Sequence, residues 1–230
     1  MKTIVPRFIL LVWLIGQSIT VSAALNSSWT GTQTIPDNDA SGVAFSFSLS
    51  DPATSITNIA VTLDISGGFN GDLYAYLSHG DGFAVLLNRE GRTSTSEYGY
   101  STPGFAITLT GSTSADLHNY QTLSPTYNGN GQLTGTWGAD GRDVDPTLVL
   151  DTTARTATLT GFNGLNPNGE WTIYFRDASP GSISTLNDWS VDIAAVPEPT
   201  SVALLGVFGA MVLLLQGGRG GSVAKCRAPR

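Results

Sequence analysis

An all-β, jelly-roll-like sandwich is the fold this sequence predicts, and three observations carry it. Short runs in which apolar and polar residues alternate with period two recur along the chain, the pattern of strands with one face buried. Clusters such as Gly67-Gly68, Asn128-Gly129-Asn130-Gly131 and Asn163-Gly164 separate them, and these residue types supply tight turns. No amphipathic helical period stands between residues 25 and 195, so many short strands have only one another to pack on.

The elements follow in order. Lys2 and Arg7 precede or open an apolar run at 8–16, and Val21-Ser22-Ala23 lies before Ala24. That layout reads residues 1–23 as a secretory signal peptide with a small-residue cleavage site; a membrane span would need ~20 apolar residues. Val43, Phe45, Phe47 and Leu49 then alternate with Ala44, Ser46 and Ser48, and Ile59, Val61, Leu63 and Ile65 repeat the pattern. Residues 72–77, 83–87, 105–109, 148–150 and 156–162 supply further short strands. The chain is organised around its closing segment, where Trp171, Ile173 and Phe175 alternate with Thr172, Tyr174 and Arg176. After a turn-rich insert at 178–185, Trp189, Val191 and Ile193 alternate again. The expectation is a pair of neighbouring antiparallel strands closing the sandwich, with Trp171 and Trp189 as structural core residues.

The stretch 92–146 is an enlarged loop region carrying Tyr98, Tyr100, Tyr120, Tyr127 and Trp137 among Ser, Thr, Gly and Asn, with a turn expected at 135–142. Two readings stand for it: aromatics packed on the sandwich, or a binding surface on a rigid scaffold.

Charge is segregated. Between residues 25 and 196 stand 17 acids, 14 Asp and 3 Glu, against five arginines and no lysine, a net charge of −12. Such a surface repels phosphate backbones and disfavours nucleic acid, whereas it suits divalent cations. The one cysteine, Cys226, lies in the C-terminal tail, so the 25–195 domain holds together without a disulfide, as a core of ~170 residues can.

Three pieces of the chain resemble the P domain (P/Homo B domain) that accompanies subtilisin-like proprotein convertases. Ile35-Pro36-Asp37 is similar to its opening, Gly71-Asp72-Leu73-Tyr74-Ala75-Tyr76-Leu77 to its Gly-Asp-Leu strand, and Asn168-Gly169-Glu170-Trp171-Thr172 through Trp189-Ser190 to its closing segment, all in the family's order. The resemblance implies a β-sandwich that rides on a protease.

A catalytic apparatus is not evident. His79 and His118 are the only histidines, neither lies in a protease motif, and there is no Gly-x-Ser-x-Gly; both are expected on surface loops. Glycoside hydrolysis needs two acids across a cleft, and Glu90, Glu97 and Glu170 are scattered in polar surroundings. Zinc lacks its Cys or His cluster. A structural calcium would use carboxylates and turn carbonyls, with Asp72 and Asp177, each beside a matched strand, as its ligands. The competing account is that both cap turns.

The C-terminus carries a separate instruction. Val196-Pro197-Glu198-Pro199 precedes an uncharged run at 200–218, apolar from 202 to 215, and then Arg219, Lys225, Arg227 and Arg230. Such a run can just span a bilayer with its basic flank inside. The arrangement resembles the PEP-CTERM sorting signal of Gram-negative bacteria, which implies transient inner-membrane anchoring and processing near Val196, Pro197, Glu198 and Pro199 by an exosortase-type membrane enzyme. Here Gly217-Gly218 and Gly220-Gly221 dilute the basic cluster, and a permanent single-span anchor is the alternative. The expected function is an exported, non-catalytic binding or structural protein of the cell surface or exopolysaccharide matrix. The alternative is a secreted enzyme, or a protease-associated module acting on glycans or peptides.

Overall fold

Among the described residues, ten strands form two sheets facing each other across one apolar core. The computed structural model describes residues 22–197. Residues 1–21 of the expected 1–23 signal peptide, Glu198, Pro199 and the 200–218 run lie outside the described residues, among which no helix is long and apolar enough to cross a membrane.

The strands are β1 (Ala23–Ile35), β2 (Val43–Leu49), β3 (Ser55–Gly67), β4 (Leu73–His79), β5 (Gly82–Asn88), β6 (Phe105–Thr110), β7 (Thr126–Tyr127), β8 (Leu133–Trp137), β9 (Gly169–Asp177) and β10 (Ser184–Val196). The larger sheet runs β1-β10-β3-β6-β8-β7 and the smaller β2-β9-β4-β5. All pairings are antiparallel except β6 with β8. Ile59, Val61, Leu63 and Ile65 of β3 and Leu73, Ala75 and Leu77 of β4 are buried against each other's sheets, because alternate residues of a strand share one face.

The closing segment departs from expectation. Its strands β9 and β10 are not neighbours but belong to opposite sheets. The Ala178–Ile183 link carries the chain across the core because β9 is already paired on both edges, to β2 and β4. Trp171 and Trp189 therefore face one another from the two sheets, both buried, with Phe47 between them at ring-centroid distances of 6.2 and 5.4 Å.

Two expected strands are absent. In 148–150, Leu148 is 70% exposed in a turn, two residues after Pro146, which cannot donate to a ladder. In 156–162 the chain makes a 3-10 turn, Leu159–Phe162. Leu159 and Phe162, three apart, both enter the core, as one turn of that helix allows. Three unexpected strands appear: β1, β8 and the two-residue β7, which pairs with β8. β1 is mostly Ser, Thr, Asn and Gln outside Leu25, Trp29 and Ile35, and pairing with β10 is what extends it. β8 includes Gly135-Thr136-Trp137, expected as a turn, and lies parallel on β6 from Phe105↔Leu133 to Leu109↔Trp137.

Candidate functional site

Asp72 and Asp177 are brought together by the β4–β9 pairing. Asp72 closes a 3-10 turn (Asn70–Asp72) ahead of β4, Leu73 pairs with Asp177 at the end of β9, and the Ala178 N–H donates to the Asp72 carbonyl at 2.7 Å. The turn is tight: a Cβ on Gly71 would lie 2.1 Å from the Tyr98 carbonyl oxygen, so only glycine fits. Arg89 reaches the same place from the end of β5, in a left-handed backbone conformation (φ 53°). Its guanidinium donates to the carbonyls of Gly71 (2.9 Å) and Glu97 (3.2 Å) and to Ser179 Oγ (2.8 Å). Ser179 N–H donates to Asp177 Oδ1 at 3.1 Å, and Asp177 Oδ2 is buried without a hydrogen-bond partner. A shallow depression lined by Asp72, Phe69, Tyr98, Tyr100 and Pro180 opens beside Asp72.

Electrostatics here follow burial. Desolvation, with the charges of Asp72 and Asp37, pushes Asp177 up to about 7 against the pull of the Ser179 N–H and Arg89. Asp72 is raised too, by burial first, with Arg89 opposing. The set fits a cation incompletely. The orphaned Asp177 oxygen would welcome one, but Arg89 already supplies positive charge, and among the described residues no group of three or more His, Cys, Asp or Glu side chains is placed to hold a metal. Calcium held here would need turn carbonyls and water for the rest of its 6–8 oxygens.

A second polar cluster, unseen in the sequence, ties the 92–158 segment to the edge of β5. Arg142, almost fully buried, grips Asp116 with two hydrogen bonds of 3.1 and 2.7 Å and donates to the Asp151 carbonyl at 3.0 Å. Its backbone N–H donates to Asp140 Oδ1 at 2.9 Å. His118 Nδ1 lies 2.8 Å from Asp140 Oδ2, and its Nε2 lies 2.9 Å from the Arg92 carbonyl oxygen. Burial would raise Asp116, but the hydrogen bonds and charge of Arg142, with Arg155, hold it below the usual carboxylate range. Glu90, fully buried, is raised well above its ordinary value by desolvation and by the charge of Asp140.

Both histidines thus depart from the expected surface loops. His118 is wholly buried and resembles half of a catalytic dyad, yet its second nitrogen meets a backbone carbonyl where a nucleophile's hydroxyl would have to stand. His79, 8% exposed at the end of β4, lies parallel to the Trp171 ring at 4.1 Å, its nitrogens against the carbonyls of Glu170 and Asn166. Glu90 likewise is buried, not set in an open polar surround. The loop aromatics divide: Tyr120 and Trp137 are buried and Tyr100 packs on them, while Tyr98 is 71% and Tyr127 45% exposed.

A pH dependence follows. The folded state favours the protonated form of Asp177, whose folded value of about 7 exceeds the ordinary ~3.9. Its stabilising contribution is complete below about pH 4 and is lost as pH rises through 7, at up to ~1.4 kcal/mol per pH unit. Asp72 and Glu90 have the same sign; Asp116 acts oppositely, losing its contribution only below about pH 4. The unfolding midpoint is therefore expected to fall between pH 4.5 and 7.5, and Asp177→Asn to flatten the decline. A midpoint that climbs across that interval would contradict the assignment.

No protein-family profile matches this chain, and no curated protein matches it. Among solved structures, the serine protease of Aeromonas sobria overlays on it, both alone and in complex with the chaperone ORF2. In each case the TM-score is 0.42 at 12% identity, over 81% of this chain and 29% of that one. The chain spans less than a third of the protease's length, and a likeness at that level carries neither family nor activity to it.

Proposed function

We propose that this is an exported, non-catalytic, jelly-roll-like sandwich of the P-domain kind, delivered to the cell surface or exopolysaccharide matrix, where it acts by binding. Residues 1–23 serve as the signal peptide. The apolar 200–218 segment halts export in the inner membrane with the basic end inside, and an exosortase-type enzyme processes the chain at Val196-Pro197-Glu198-Pro199. The observation that carries this reading is where the folded unit stops. β1 begins at Ala23 and β10 ends at Val196, and the two ends are paired, Ala23 with Ala195. Cleavage after Ala23 and beyond Val196 trims only the first residue of β1 and leaves every other strand residue in place. Pro197 cannot extend the β10 ladder, and each proline of Pro197-Glu198-Pro199 biases its neighbour toward extended backbone, a form a membrane-embedded enzyme can grip.

The expected mature protein ends within 196–200 and lacks the apolar run. Intact-mass measurement of surface or culture-fluid protein from the native host tests it, as does replacement of Pro197-Glu198-Pro199 by alanines, which should leave the full-length form in the inner membrane. Released protein still carrying Arg230 would restore the plain anchor.

Calcium at Asp72 and Asp177 is a second, structural proposal, favoured by the unpartnered Asp177 Oδ2. Binding only to the folded state at a hundredfold excess over Kd would add about 2.7 kcal/mol. Asp72→Asn and Asp177→Asn should each shrink that gain, and identical melting with calcium and with chelator would end the proposal.

A further inference from the structure

The outer faces of the two sheets differ in kind. Outward positions on the larger sheet are short and polar, for example Asn26, Ser28 and Thr30 of β1 beside Asp188, Ser190 and Asp192 of β10. That is an ordinary solvated face. On the smaller sheet the outward positions of the two central strands and of the edge strand β5 carry rings: Tyr74 and Tyr76 of β4, Tyr174 of β9 and Phe83 of β5, all part-exposed. Tyr76 and Tyr174 are directly paired across the strands and nearly parallel, 4.9 Å apart at 21°. Tyr74 stands 6.1 and 6.5 Å from them, and Phe83 lies 5.3 Å from Tyr76.

The surroundings leave this cluster open and polar at its margins. On the flanking strand β2, the residues level with Tyr174 and Thr172 are Ala44 and Ser46, too short to cover the rings. Ser78 and Thr172 continue the floor toward Phe83. Tyr174 OH donates to the Ala40 carbonyl at 2.9 Å, which fixes one ring. The chain arches over that hydroxyl at Gly42, where a Cβ would lie 2.6 Å from it. Arg176 lies beside Tyr74, its cross-strand partner, and Asp39, Asp143 and Asp145 are near enough to act electrostatically on Tyr174, Tyr74 and Arg176.

The chemistry selects the occupant. Part-exposed aromatic rings present π-density and apolar area, matched by the C–H faces of pyranose rings. Carboxylates, an arginine and hydroxyls at the rim offer the acceptors and donors that sugar hydroxyls need. A nucleic acid or an anionic bilayer would meet the carboxylates and the −12 charge of residues 25–196. We propose that the outer face of the smaller sheet, through Tyr74, Tyr76, Phe83 and Tyr174 with Arg176 at its edge, binds uncharged polysaccharide, sugar rings lying against the exposed parts of the aromatic cluster. This rests on the binding role proposed above and names its ligand class and residues.

Affinity electrophoresis of the mature protein through gels containing a neutral β-glucan, xylan, mannan or starch, with alginate as the anionic control, tests it. Retardation is expected in at least one neutral glycan and not in alginate. Tyr76→Ala and Tyr174→Ala should each weaken it roughly tenfold, the equivalent of about 1.4 kcal/mol, while Tyr76→Phe, which keeps the ring, retains most of it. Thr172→Arg removes no ring but fills the floor, and should abolish retardation with the unfolding midpoint unchanged, which covers the case of an alanine variant that does not fold. Retardation that survives Thr172→Arg overturns the assignment to this face and leaves the binding role standing. No retardation in any glycan, from protein correctly ended within 196–200, overturns the polysaccharide ligand and leaves the delivery route standing. Self-association abolished by Thr172→Arg without glycan retardation would make the face a site for a second copy, and would also overturn it.

Discussion

Trp171→Ala is expected to lower the stability of the sandwich by about 3–5 kcal/mol, a large share of the ~5–15 kcal/mol typical of a domain. The Trp171 side chain is fully buried, and its Nε1 donates to the Pro167 carbonyl at 2.9 Å. His79 lies parallel to it at 4.1 Å, and Phe162 and Phe47 stand at 5.2 and 6.2 Å. Removing the indole leaves a cavity between the sheets, strips the His79 ring of its packing and frees the Asn166–Gly169 turn. Trp189→Ala, the same truncation from the opposite sheet, should cost a similar amount. Thermal and denaturant unfolding measure both. An unchanged midpoint for Trp171→Ala would mean that β9 does not carry the core.

Arg142→Met should be comparably severe, for an electrostatic reason. Arg142 is 2% exposed and Asp140 wholly buried, their charged groups 3.6 Å apart, with Asp116 holding the other side of the guanidinium. Removing the cation strands carboxylates away from water, which costs about 3–5 kcal/mol. The double variant Arg142→Met with Asp116→Leu should lose less than the two single changes summed, because it deletes a charge and its partner together. A double-mutant cycle measures the coupling. A loss below ~1 kcal/mol for Arg142→Met would show that the 92–158 segment is held to β5 by backbone hydrogen bonds and apolar contacts, without help from the buried ion pairs.

Legibility followed burial contrast. β2, β3, β4, β6, β9 and the core half of β10 carry apolar residues at every second position, and such a pattern announces a strand and its buried face without reference to the rest of the chain. β5 is instead apolar throughout Phe83 to Leu87. β1 was not legible because much of its length is small and polar; it is a strand because β10 offers it a ladder. The 156–162 segment misled in the opposite sense. Its alternation of Thr with Ala and Leu imitates a strand, yet the backbone is drawn to other partners, with Val85 N–H on the Ala157 carbonyl and the N–H groups of Thr156 and Ala157 both on the Gly141 carbonyl. In the site, Asp72 and Asp177 could be chosen because each flanks a strand of clear pattern. Arg89, which joins them from β5, had no local signal.

The sequence by itself determined the all-β character, the burial of Trp171 and Trp189, and the acidity that disfavours polyanions. Each of these depends on residue type and period within a dozen positions, where sterics and hydrophobicity act locally. Only the tertiary structure decided that β9 and β10 lie in opposite sheets, that His118, Asp140, Arg142 and Glu90 share one buried cluster, and that four aromatic residues from three strands meet on one outer face. Those outcomes depend on which strand edges are already paired and on register between segments tens of residues apart. A one-residue slip in register would turn Tyr76 and Tyr174 inward, and no pattern within either strand specifies its partner.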